Sequence, residues 1–124
     1  MPSELLGLRI LVVEDDPIMA LDLRGMFAEA GATVVGPAYR VSQALALLEA
    51  GIDVAVLDFR LEKETASPIA HRLTAKGVPY LFYTSSRGHP ELAHPEAPII
   101  EKPARPDVLI KLVEALTEGQ RDDD

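Results

Sequence analysis

Short apolar runs of strand length alternate with segments of helical periodicity along this chain. That alternation restricts the fold more than any other feature. Leu8-Arg9-Ile10-Leu11-Val12-Val13 is β-branched and almost unbroken by polar residues, as expected of a strand buried on both faces. Asp53-Val54-Ala55-Val56-Leu57 and Pro79-Tyr80-Leu81-Phe82-Tyr83 repeat the pattern. Thr33-Val34-Val35-Gly36 and Pro98-Ile99-Ile100-Glu101 are shorter versions. Asp16-Pro17 reads as an N-cap with proline at the first helical position. Met19, Leu23, Met26, Phe27 and Ala30 then recur at helical spacing until Gly31. A second helix is expected from Ser42 to Ala50, with Leu45 and Leu48 inward and Gly51 as its stop. A polar loop follows Asp58, and a third helix runs from about Ser67-Pro68 to Lys76, before Gly77. A last helix opens at Arg105-Pro106-Asp107, with Val108, Leu109, Leu112, Val113 and Leu116 on one face. Residues 86–96 contain Gly88, Pro90 and Pro95, which argue against a full helix there. Strands separated by helices imply parallel pairing, and right-handed crossovers place helices on both faces. The expectation is an α/β fold with a doubly wound, five-stranded parallel sheet.

The 124 residues suit one domain, with a core over about 8–118 and loose ends at 1–5 and 119–124. Apolar residues make up 48% and charged residues 26%, an ordinary globular balance. Twelve basic and twenty acidic residues give a net charge of −8, which provides no electrostatic drive toward nucleic acid or an anionic membrane. No cysteine is present, so disulfides, thiolate zinc sites and cysteine nucleophiles are excluded. The N-terminal residues lack the basic region of a signal peptide, and a cytoplasmic location is expected.

In an open parallel sheet the ligand site lies beyond the carboxyl ends of the strands. Those ends carry Glu14-Asp15-Asp16 after the first strand and Asp58 after the third. Thr84 follows the fourth and Lys102-Pro103 the fifth. Any one of these residues is more often a cap or a turn than a ligand. Together they bring several carboxylates into one crevice, where mutual repulsion opposes ionisation unless a cation is near. An all-oxygen donor set favours a hard ion, Mg²⁺ or Mn²⁺. A lysine and a hydroxyl opposite complete a cradle for an anion such as a phosphoryl group.

The stretches Ile10-Leu11-Val12-Val13-Glu14-Asp15-Asp16, Val56-Leu57-Asp58, Phe82-Tyr83-Thr84-Ser85 and Glu101-Lys102-Pro103 resemble the response-regulator receiver domains of bacterial two-component systems. The resemblance spans about Leu8 to Leu116 and implies a flavodoxin-like receiver fold of the stand-alone type. It also implies that Asp58 is the phosphoacceptor and that Asp15 and Asp58 ligate Mg²⁺, joined by the backbone carbonyl of Arg60 and by Glu14 through water. Lys102 and Thr84 would bind the phosphoryl oxygens, with Asp16, Ser85 and Pro103 in supporting positions and a cis peptide before Pro103. A sensor histidine kinase or a histidine phosphotransfer protein would be the donor, and the phosphorylated form would contact a downstream protein or serve as a phosphate shuttle or sink. No nucleic acid or membrane partner is implied. Ser67-Pro68-Ile69-Ala70 and Gly77 through Thr84 are similar to the subgroup carrying a Phe-Ala-Thr-Gly-hydrophobic-Tyr stretch, with Tyr83 in place of its alanine and Ser85 in place of its glycine.

Two departures bear on mechanism. Ile99 stands where most receivers place an aromatic switch, and Arg60 sets a long basic side chain beside the acceptor, to reach the phosphoryl group or to pair with Glu62 or Glu64. A pseudo-receiver that binds partners without turning over phosphate is the alternative; its hallmark would be loss of the acceptor, the metal acid or the lysine, and all three are present. A nucleotide- or flavin-binding domain would need a glycine-rich loop after the first strand, which is absent. His71, His89 and His94 read as surface residues, with a metal pair at 89 and 94 poorly spaced for a helix.

Overall fold

A computed structural model of the chain describes residues 4–85 and 94–118. Its strands are Arg9–Val13 (β1), Thr33–Ala38 (β2), Val54–Leu57 (β3), Arg60–Leu61 (β4), Glu64–Thr65 (β5), Tyr80–Thr84 (β6) and Ile99–Glu101 (β7). The α-helices among the described residues are Pro17–Glu29 (α1), Val41–Leu47 (α2), Ser67–Lys76 (α3) and Pro106–Leu116 (α4), with one 3₁₀ turn at Leu48–Ala50. Five strands form a parallel sheet in the order β2-β1-β3-β6-β7, so β3 is central and the acidic ends of β1 and β3 are adjacent.

The unbroken apolar runs follow from this order, because β1, β3 and β6 are covered on both faces. Leu11, Val13, Ala55, Leu57 and Phe82 belong to the layer of α2 and α3. Ile10, Val12, Val54, Val56, Leu81 and Tyr83 belong to the layer of α1 and α4, with Leu23, Phe27, Leu109 and Val113. Each fully buried leucine or phenylalanine of these layers contributes about 1.5–3 kcal/mol. Asp16 caps α1, its Oδ1 accepting the N–H groups of Ile18 (3.0 Å) and Met19 (3.4 Å). Gly77 ends α3 in the left-handed conformation.

Three sequence expectations need correction. β2 does not stop at Gly36 but runs to Ala38. Leu11 pairs with Val35 and Val13 with Ala38, so Gly36 and Pro37 together oppose Val12 as a bulge. An edge strand tolerates proline there, and Gly36 takes the φ of +101° that the bulge requires. The segment after Asp58 is a tight hairpin of β4 and β5 rather than a loop, held by burial of Phe59, Leu61 and Ala66 and by the Ala66 N–H on the Phe59 carbonyl (2.8 Å). Glu64 of this hairpin accepts the Val41 N–H at the start of α2 (3.1 Å). Leu5, placed by the sequence in a loose end, is fully buried, and its N–H bonds the Ala30 carbonyl (2.9 Å). The expectations for 86–93 and 119–124 lie outside the described residues.

Two glycines give opposite predictions. A Cβ on Gly36 would lie 2.9 Å from the Ala38 nitrogen and 3.2 Å from the Val12 carbonyl oxygen, on a backbone with positive φ. Gly36→Ala should therefore lower stability by roughly 1–3 kcal/mol. Gly25 lies inside α1, and a Cβ there meets nothing within 4 Å. Gly25→Ala should raise stability by about 0.5–1 kcal/mol. Urea unfolding of both variants checks the pair, and shifts of the same sign would contradict this account of the bulge.

Candidate functional site

Parallel register brings the predicted residues together. The Asp58 N–H donates to the Val13 carbonyl (2.9 Å), which sets the end of β3 beside the start of the Glu14-Asp15 turn. The Glu14 N–H continues the ladder to the Ala38 carbonyl (2.9 Å), and the Lys102 N–H bonds the Thr84 carbonyl (3.1 Å). Carboxylate oxygens of Glu14, Asp15 and Asp58 lie within 4.8 Å of one another. Glu14 is 1% exposed, Asp58 7% and Thr84 1%. The Lys102 ammonium bridges two of the acids, with Nζ 2.5 Å from Glu14 Oε1 and 3.0 Å from Asp58 Oδ2. The Lys102–Pro103 peptide bond is cis, as the resemblance implies.

Charge makes the site demanding. Three carboxyl groups share the crevice with one ammonium, so acids outnumber the cation. Burial pushes the Glu14 carboxyl up to about 7, and the neighbouring Asp58 charge adds to the rise. The Lys102 hydrogen bond and the Asp16 N–H (3.1 Å) pull the other way. Burial opposes the charge on Lys102, but its hydrogen bonds to Glu14 and Asp58 outweigh that cost and its pKa is raised. An all-oxygen cluster that short of positive charge fits a hard divalent cation.

The remaining predicted residues divide. Asp16 serves the site through its N–H on Glu14, while its side chain caps α1. The Arg60 side chain is exposed and pairs with neither Glu62 nor Glu64 among the described residues. The Ala66 N–H on the Phe59 carbonyl places pairs 59/66 and 61/64 in the hydrogen-bonded positions of the hairpin. By alternation the Arg60 carbonyl turns away from β5. Ser85 and Pro103 are exposed and follow Thr84 and Lys102 directly in the chain. A cleft of about 520 Å³ opens at Asp15, between Tyr39-Arg40 and the hairpin residues Leu61 to Glu64.

His94 corrects the reading of the histidines as surface residues. It is 6% exposed, its Nε2 lies 2.9 Å from Ser67 Oγ, and its ring centroid lies, in tilted arrangements, 5.4 Å from that of Phe82 and 5.1 Å from that of His71. Burial, then the His71 charge, lowers its pKa. It borders a second cavity of about 460 Å³ at the amino ends of β6 and β7, away from the carboxylates. His71 is exposed, and His89 lies outside the described residues. The sequence also leaves unseen the hydroxyl of Tyr83, which accepts the Ala104 N–H (3.0 Å) from a residue 21 positions away.

The raised Glu14 pKa carries a sign. The folded state holds this proton more tightly than the unfolded chain, whose carboxyl titrates near 4.5. Its stabilising effect is complete below pH 4.5 and is lost as pH rises through about 7. In chelator-treated protein, Glu14→Gln should flatten the pH dependence of stability between those limits by roughly 2 kcal/mol. Parallel curves for wild type and variant would contradict this.

No protein-family model and no curated protein matches the chain. Solved structures do. SdrG from Sphingomonas melonis Fr1 is 34% identical, covering 92% of this chain and 98% of that one, with a TM-score of 0.75. A response regulator receiver protein from Sinorhizobium medicae WSM419 is 24% identical, covering 90% of this chain and 94% of that one, with a TM-score of 0.78. The response regulator PhyR from Brucella abortus superposes with a TM-score of 0.81 at 24% identity over 98% of this chain, which spans about half (52%) of PhyR.

Proposed function

Because the chain belongs to the response-regulator receiver family, we propose that it accepts a phosphoryl group on Asp58 from a sensor histidine kinase or a histidine phosphotransfer protein. In this reading it works in the cytoplasm as a signalling protein. Its phosphorylated form contacts a protein target or passes the phosphate on. The observation that carries the proposal is the placement of one lysine between the acceptor and the metal acids, at the carboxyl ends of three strands.

In the proposed step an Asp58 oxygen bonds to phosphorus as the P–N bond to the donor imidazole breaks. The imidazole leaves with the electron pair and takes a proton from solvent. Asp58 is suited to this because it stands at the end of the central strand with its carboxylate at the crevice and its backbone fixed to Val13. Little covalent assistance is needed for such a transfer, so positioning and charge neutralisation dominate. Lys102, 3.0 Å from Asp58, exchanges one carboxylate for the phosphoryl oxygens without leaving the crevice. The buried hydroxyl-bearing Thr84 ends the adjacent strand. Asp15, Asp58 and the Arg60 carbonyl, with Glu14 through water, would hold Mg²⁺, or Mn²⁺, which when bound supplies positive charge to the carboxylates and to the incoming phosphoryl oxygens.

Treatment with acetyl phosphate and Mg²⁺ should add one phosphoryl group to the intact mass. Chelation of the metal, or Asp58→Asn, should abolish the adduct. An Asp58→Asn protein that gains the same adduct would falsify the assignment, and a wild type that gains none would mark a pseudo-receiver.

A further inference from the structure

We infer that Tyr83 is a positioning residue for Lys102, fixing the segment that carries the lysine so that its ammonium reaches Glu14 and Asp58. This rests on the receiver reading of Asp58.

Tyr83 precedes Thr84 on β6, and the strand's alternation sends their side chains to opposite faces. The tyrosine is 4% exposed, within the apolar layer shared with α1 and α4. A buried phenol needs a partner for its oxygen. It finds the Ala104 N–H at 3.0 Å. The Lys102 N–H meanwhile donates to the Thr84 carbonyl at 3.1 Å. Lys102–Ala104 is therefore tied to consecutive residues of β6 at both of its ends. Between the ties stands the lysine, and its Nζ lies 5.8 Å from the centroid of the Tyr83 ring, within cation–π range. β7 is only three residues long and lies at the sheet edge, so its own ladder gives the following segment little support. Without the hydroxyl, the second tie is lost and the Ala104 N–H is left unpaired in a part-buried position. The lysine would then keep its charge but lose its defined reach.

Tyr83→Phe removes the hydroxyl alone and keeps the ring. Three readouts on the full chain separate positioning from simple core packing. Ala104 amide exchange should quicken about tenfold in the variant. The Lys102 side-chain ammonium resonance of the metal-free protein should shift. The rate of acetyl phosphate-driven phosphorylation should fall about threefold, and that fall should vanish in a Lys102→Ala background. An unshifted Lys102 resonance, or an equal rate loss in the Lys102→Ala background, would overturn the inference. If wild type gains no phosphoryl group, the functional reading fails, and the Lys102 resonance still decides the role of Tyr83.

Discussion

Lys102 holds together groups that would otherwise repel one another. Its ammonium lies between Glu14, at the end of β1, and Asp58, at the end of β3, having arrived from the edge strand β7. Burying two carboxylates and an ammonium carries a desolvation cost of several kcal/mol per ion, offset only by good geometry and further hydrogen bonds. Here those come from the Asp16 N–H on Glu14 and from two backbone ladders that fix the strand ends. The sheet's apolar packing on both faces makes this arrangement sustainable. It supplies the stability against which a charged crevice can be maintained at one end.

The same crevice is left short of positive charge. One lysine does not balance three carboxyl groups, and burial, with a smaller contribution from the Asp58 charge, raises the Glu14 pKa to about 7. In the proposed function a divalent cation would supply the missing positive charge, and the lysine would turn to the phosphoryl oxygens carried by Asp58.

Most of the fold was legible because strands covered on both faces show as unbroken apolar runs, and glycines and prolines mark their ends. The failures came where tertiary contacts overrode local signals. Gly36-Pro37 reads as a stop, yet a bulge at the sheet edge lets pairing resume at Ala38. Phe59 and Leu61 sit in a polar-looking stretch and are buried only because the face of α2 and α3 awaits them. His94 and Leu5 are likewise covered by elements distant in the chain. The strand-end residues were legible because a parallel sheet gathers its ligands at one end. The direct pairing of Lys102 with Glu14, across 88 residues, and the Tyr83–Ala104 tie were not, since no local pattern encodes either.

The central claim is that the acids at the ends of β1 and β3 form one cation site. Paramagnetic broadening by substoichiometric Mn²⁺ in a ¹H–¹⁵N spectrum tests it most directly. Amides of residues 14–16, 58–60, 84 and 102 should broaden first, and excess Mg²⁺ should restore them. Broadening centred on other acidic positions, such as Glu49 and Asp53 at the opposite end of the sheet, or none that Mg²⁺ reverses, would contradict the account.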